Sequence, residues 1–183
     1  FDPKADAPMN YGAIGAVIGH EMIHGYDDQG SRFAADGNFE NWWSEADAKG
    51  FAARTDKLVQ QFDAYEALPG LHVNGKLTLG ENIADLGGLA TAFDAMRMAT
   101  AGTPDPKIDG FTREQRFFLS NGTAWRTQMN DDSMKVVVAS NPHAPQKFRA
   151  IGAPSNLQAF ADAFSCKEGS PMVRSGEKRV VIW

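Results

Sequence analysis

Residues 17 to 28 read VIGHEMIHGYDD, and this stretch limits the fold more than any other part of the 183-residue chain. It closes an apolar run from Pro8 to about Tyr26, in which Ala13, Ile14, Ala16, Val17, Ile18, Met22 and Ile23 cover almost the whole circumference of a helix. That pattern predicts a helix buried on most sides. Gly12, Gly15 and Gly19 interrupt the run, and each costs a helix about 1 kcal/mol relative to Ala; another element is therefore expected to pack very close. Yet His20, Glu21, His24, Asp27 and Asp28 stand in the same segment. Buried polar groups need partners. Residues four apart share a helix face, so His20 and His24 can aim imidazole nitrogens at one point, where a metal ion would satisfy both.

Glu21 lies about 100° round the helix from His20 and can flank that point without ligating it. The arrangement is H-E-x-x-H, which reads as a zinc ion held by both histidines, with the glutamate as general base of a hydrolase. A catalytic zinc takes a third protein ligand and keeps one position open. Cys166 is the single cysteine, so there is no internal disulfide and no cysteine-based zinc site, and the third ligand has to be His, Asp or Glu. The segment GENIADLGGLATAF offers Glu81 and, four residues on, Asp85. This spacing suits a ligand carboxylate plus a carboxylate that orients a ligand histidine and fixes its tautomer. The residues alone leave two plainer readings open. The histidines could be satisfied by local hydrogen bonds, and both acids could simply favour the first turn of a helix.

The remaining pattern is mainly α. Ser44, with Asp47 completing an approximate capping box, predicts a helix from 45 that stops at Pro69-Gly70. In LHVNGKLTL, Asn74-Gly75 between alternating apolar residues predicts a small β-hairpin. A third helix is predicted from Glu81 to about Thr100, with others at 112 to 127, 131 to 140 and 154 to 164, before an irregular tail to Trp183. The length suits one domain. The formal charge of -5 comes with scattered Lys and Arg, which disfavours nucleic acid or an acidic membrane as a partner. No apolar run reaches membrane-spanning length, and no signal peptide is evident. The chain does not begin with Met, so its start reads as an internal cut and the missing signal says little about compartment.

VIGHEMIHGYDDQGSRFAADGNFENWW, followed at this distance by GENIADLGG, AWRTQMNDDSM and NPHAPQKFRAIGAPSNLQAFADAFSC, resembles the catalytic core of the neprilysin and endothelin-converting enzyme family of zinc metallopeptidases. The likeness covers essentially the whole chain and implies a bacterial-type member, with the thermolysin-like zincin catalytic fold. It also implies roles at matching positions. His20, His24 and Glu81 would hold one zinc ion, Glu21 would be the base, and Asp85 would support a ligand histidine. His143 would stabilise the tetrahedral oxyanion, Asp27 would orient His143, and Arg149 would bind the substrate backbone. Val17 and Trp125 would line the pocket for the residue just after the scissile bond. The implied activity is endopeptidase cleavage of short peptides on the amino side of hydrophobic residues, in a periplasmic or secreted setting.

Departures accompany the likeness. Leu86 stands where the family usually has Asn, which puts the polar contacts around Asp85 in question. Arg126 follows Trp125, and Cys166 lacks its usual partner. Family enzymes run to several hundred residues, with a helical lobe preceding the catalytic one. Residues 1–183 therefore read as the C-terminal catalytic piece, the N-terminal lobe being a missing partner, and a zinc-stabilised fragment without activity is the alternative. His72 reads as an exposed ribbon residue, the Asn121-Gly122-Thr123 glycosylation sequon carries little weight inside a predicted helix, and Trp42 and Trp43 read as packing anchors.

Overall fold

The computed structural model describes residues 1–182; Trp183, quoted above for the resemblance, lies outside them. The first apolar run is helical from end to end, but it changes gauge along the way. It begins as α1, Ala7–Asn10, passes through a π-helical turn at Tyr11–Gly15, becomes α2 at Ala16–Ile23 and tightens to 3-10 form at His24–Tyr26. An irregular stretch follows, with a single bridge between Phe33 and Phe39. Helix α3, Glu45–Asp63, starts at the expected place: Ser44 accepts from the Asp47 N–H, and the Asp47 side chain answers to the backbone of Ser44. Strands β1, Glu66–Leu68, and β2, Leu71–His72, are antiparallel. Then come α4, Leu79–Ala99; α5, Arg113–Ala124; α6, Asp131–Ser140; α7, Gln146–Gly152; and α8, Gln158–Ala163.

The burial expected of the first helix belongs to another. Helix α2 was expected to be covered on most sides, yet Val17, Ile18 and Met22 are 40%, 56% and 65% exposed. The helix buried all round is the first half of α4, residues 82–89, and Ala92, Phe93 and Met96 continue its buried face. Around it lie Leu58 and Phe62 of α3, Phe117 and Phe118 of α5, and Phe148 of α7. Full burial of each such side chain contributes about 1.5 to 3 kcal/mol. The close approach predicted for the glycine-interrupted helix is present, because α2 and α4 touch backbone to backbone at Gly19 and Gly88. A Cβ on Gly19 would lie 2.6 Å from the Gly88 carbonyl oxygen, and one on Gly88 would lie 2.3 Å from the His20 nitrogen.

The hairpin exists, but it is shifted in sequence. Glu66 pairs with His72 and Leu68 with Leu71, so the turn is Pro69-Gly70, where Gly70 has φ of +76°. Proline followed by a glycine at positive φ is the demand of a type II turn. As a result α3 stops at Asp63 instead of running to Pro69. The hairpin itself satisfies that end: Asp63 accepts from the Gly75 N–H at 2.7 Å and from His72 Nδ1 at 3.1 Å. Asn74-Gly75 instead leads into α4, with Asn74 accepting from the N–H groups of Leu77 and Thr78. Helix α7 was not expected, and the helix predicted over 154 to 164 is broken at Leu157, which is extended. Asn156 holds that break by bonding Gln61, the Gly152 carbonyl and the Val180 N–H. Among the described residues no helix is long and apolar enough to cross a membrane.

Candidate metal centre

The crossing of α2 and α4 decides what His20 meets. Its Nδ1 lies 2.9 Å from Asp85 Oδ1, across the glycine contact one helix turn away. His24 stands where α2 tightens, and its Nδ1 lies 2.7 Å from Asp27 Oδ2. The other Asp27 oxygen is held by the N–H groups of Gln29 and Gly30, at 2.8 and 2.7 Å. An ionised carboxylate only accepts, so both Nδ1 atoms are donors, and in the neutral tautomer both Nε2 atoms present lone pairs. Those two Nε2 atoms are 3.0 Å apart. Two lone pairs at that distance repel unless a proton or a cation lies between them.

Glu81, in the first turn of α4, completes the group. Its Oε2 is 3.2 Å from His20 Nε2, and its Oε1 is 3.8 Å from His24 Nε2. Oε2 is buried and makes no well-aligned hydrogen bond, although His20, His143 and Arg149 nitrogens lie 3.2, 3.1 and 3.7 Å from it. One donor atom from each of His20, His24 and Glu81 lies within 4.8 Å of the others. Two imidazoles and a carboxylate suit a divalent cation such as zinc, and three protein donors leave one position open. The facing lone pairs and Oε2 are what such an ion would satisfy.

The electrostatics point the same way. Burial disfavours a charged His20, but Asp85 and Glu81 outweigh it and lift its pKa from 6.5 to about 9. Burial also opposes the charge on Asp85, yet the Arg149 and His20 hydrogen bonds hold that carboxyl below its ordinary value. Glu81 is lowered too: burial is overcome by His20, with His143 and His24 adding to the effect.

Arg149 is engaged by Asp85. It is buried on α7 and donates Nε to Asp85 Oδ2 at 2.8 Å and Nη2 to Asp85 Oδ1 at 2.7 Å. Its guanidinium lies 4.1 Å from the centre of the Trp125 ring. Two of its three nitrogens therefore hold Asp85, Nη2 also lies 3.7 Å from Glu81 Oε2, and Nη1 makes neither contact. Leu86, one residue on, turns into the core, away from these bonds, so the departure at that position leaves the contacts of Asp85 in place.

His143 lies in the loop before α7, with Nε2 3.1 Å from Glu81 Oε2. Asp27, expected to orient it, is engaged by His24 instead, because a residue three positions on from a helical histidine reaches that histidine first. Asn141 orients His143: its Oδ1 accepts from the His143 N–H at 2.9 Å and from Nδ1 at 3.0 Å. Sequence reasoning missed Asn141, although Asn-Pro-His carries the signal of an Asx turn. Glu21 is exposed and makes no hydrogen bond or ion pair with any described residue. Beside the three donors opens a cavity of about 250 Å³, bordered by His20, Glu21 and His143 and walled by Ala16, Val17, Leu89, Trp125 and Arg149.

Of the residues discounted earlier, His72, Trp42 and Trp43 stay outside this site. His72 is exposed and bonds the Asp63 carbonyl, and Trp43 packs on Phe51 and Trp42. Asn121 of the sequon is buried on α5 and lines the cavity.

The profile of peptidase family M13 matches residues 1–180. Neprilysin-11 of Caenorhabditis elegans is 42% identical over 186 residues, covering 99% of this chain and 21% of that protein. Endothelin-converting enzyme 1 of Cavia porcellus is 40% identical over 174 residues, covering 93% of this chain and 22% of that protein. Among solved structures, the Mycobacterium tuberculosis zinc metalloprotease Zmp1 in complex with an inhibitor superposes with a TM-score of 0.95 at 44% identity, across 100% of this chain and 29% of that one. PepO from Lactobacillus rhamnosis superposes with a TM-score of 0.88 at 32% identity, across 100% and 28%. The chain thus spans between a fifth and a third of the length of these relatives. Similarity along nearly all of its residues, in sequence and in backbone, makes this chain a member of peptidase family M13.

Proposed function

We propose that this chain is the zinc-binding catalytic part of an endopeptidase that cleaves short peptides on the amino side of hydrophobic residues. The observation that carries the proposal is the geometry at the α2–α4 crossing. Asp85 and Asp27 turn the histidines so that both Nε2 atoms and a buried Glu81 oxygen that makes no well-aligned hydrogen bond face one point at the mouth of a cavity. His20, His24 and Glu81 would hold the ion. Zinc so held supplies Lewis acidity, lowering the pKa of a water to about 7 and polarising a carbonyl.

The remaining roles belong to side chains around that point. Glu21, exposed and without a protein partner, takes a proton from the attacking water and returns it to the leaving amine. Asn141 Oδ1 accepts from a backbone N–H, which fixes it as the acceptor facing His143 Nδ1. This leaves Nε2, which faces Glu81, as the ring nitrogen that would stabilise the developing oxyanion. Arg149 keeps Asp85 in place with two nitrogens and has Nη1 left to donate to a substrate carbonyl. Val17 and Trp125 border the cavity that would take the residue after the cut bond. In this reading residues 1–183 are the catalytic piece of a longer polypeptide whose other parts limit access to the cleft.

The test is Glu21→Gln in the zinc-loaded protein. It keeps side-chain shape and removes the base, so zinc content and thermal stability should be unchanged while cleavage of a short peptide falls about 100 to 10,000-fold. A variant that binds zinc normally and cuts as fast as its parent would reject the mechanism and leave a structural zinc module.

A further inference from the structure

The cavity walls are apolar except at one place away from the metal donors. Ala13, Ala16, Leu89, Ala124 and Ala153 leave room for a large side chain, and Asn121 interrupts them. Asn121 is 5% exposed and lies on α5. It donates Nδ2 to the Gly12 carbonyl at 3.1 Å. A carbonyl oxygen can only accept, so the amide is fixed with its nitrogen toward Gly12 and its oxygen on the other side. That oxygen accepts no hydrogen bond from a described residue, and it is not among the buried orphaned atoms; it borders the open cavity. Gly12 precedes His20 by eight residues, about 12 Å along a helix axis. The acceptor therefore lines the same cavity as the metal donors, but beside Gly12, two helix turns before His20.

We propose that Asn121 makes this pocket select an aromatic side chain that carries a hydrogen-bond donor at its tip, tyrosine above phenylalanine, at the position following the scissile bond. The inference rests on the endopeptidase reading above and names the substrate class of that same site. A tyrosine hydroxyl donates to Oδ1, whereas a phenylalanine ring covers Oδ1 and strips its water without replacing it. Leaving a buried acceptor unpaired is the larger part of such discrimination.

The experiment uses the zinc-loaded protein produced from its complete gene, with peptides differing only at the residue after the cut bond: Tyr, Phe or O-methyltyrosine. Cleavage is followed with the parent, and binding by calorimetry on Glu21→Gln, which turns the peptides over about 100 to 10,000-fold more slowly. Tyrosine should be favoured about tenfold over phenylalanine in both kcat/KM and Kd. O-methyltyrosine, which has no donor, should lose the advantage, and Asn121→Leu should bring the Tyr to Phe ratio close to one. If Asn121→Leu does not fold, the three-peptide series on the unaltered pocket decides alone. Equal Kd values for Tyr and Phe, tyrosine-like binding of O-methyltyrosine, or a ratio that survives Asn121→Leu would each overturn the role of Asn121, even with all peptides cleaved. Tyr-selective binding without cleavage by the parent would instead uphold Asn121 and break the endopeptidase reading. Failure of every peptide to bind would overturn both.

Discussion

Replacing Gly88 by alanine tests whether the α2–α4 contact creates the metal site. The new Cβ would sit 2.3 Å from the His20 nitrogen, 2.7 Å from the His20 Cα and 2.8 Å from the Gly19 carbonyl carbon. All three are backbone atoms that no rotamer change can move. Comfortable contact is about 3.5 Å, so the helices must separate by roughly 1 Å. Overpacking of this kind costs up to about 3 kcal/mol, and alanine returns about 1 kcal/mol through helix propensity; the net loss is about 2 kcal/mol. For a chain of this length that lowers Tm by about 4 to 8 °C. The functional effect should be larger than the loss of stability implies. His20 and Glu81 sit on the two separated helices with Nε2 and Oε2 3.2 Å apart, and a metal site tolerates displacements of only about 0.5 Å. Thermal melts with and without chelator, alongside zinc titration, measure both effects. Gly122→Ala is the control: it lies within α5 with nothing within 4 Å of its added Cβ, so it should raise Tm by about 2 to 4 °C. If Gly88→Ala melts with the parent and binds zinc as tightly, the backbone contact does not govern the site.

Asp85→Ala leaves Arg149 buried without its partner and should destabilise the protein by about 3 to 5 kcal/mol, visible in the denaturant midpoint. Its zinc affinity should fall about 10 to 100-fold in competition with a chelator. Asp27→Asn should weaken zinc by a similar 10 to 100-fold, because its carboxylate bonds His24; unchanged affinity with lost turnover would return Asp27 to an orienting role at His143. In the metal-free protein the His20 pKa is raised from 6.5 to about 9. The stability this contributes is fully present below the unfolded value and is lost as pH rises through about 9. Zinc must displace that proton, so its affinity should rise about tenfold per pH unit between pH 7 and 8. An affinity flat over that range would show His20 unprotonated in the metal-free site.

How much of the fold could be read in advance depended on how local its causes were. The α3 start was legible because Ser44 and Asp47 satisfy each other within one turn, and α6 fell at its expected bounds because Asn130 caps it directly, accepting from Ser133. The hairpin misled because Asn74-Gly75 is a strong turn signal whichever structure uses it. Here it leads into α4, and the weaker-looking Pro69-Gly70 closes the ribbon. Helix α7 was hidden by the prolines before it and by its length of seven residues, too short to show a period. It forms because Phe148 and Arg149 are drawn into the core and onto Asp85.

By itself the sequence determined the chemistry on offer. The H-E-x-x-H spacing puts two imidazoles on one helix face whatever surrounds them, and a single cysteine leaves His and carboxylates as the ligands. Only the tertiary structure decided which carboxylate serves which histidine. Asp85 and Asp27 are equally acidic on paper. The Gly19–Gly88 contact brings α4 close enough for Asp85 to reach His20, while chain proximity gives Asp27 to His24. The same holds for Arg149, Asn141 and Asn121, whose partners lie far off in sequence or are fixed by a loop. A side chain's role follows from what the folded backbone puts within about 3 Å of it, and only residues a turn apart on one helix carry that distance in their spacing.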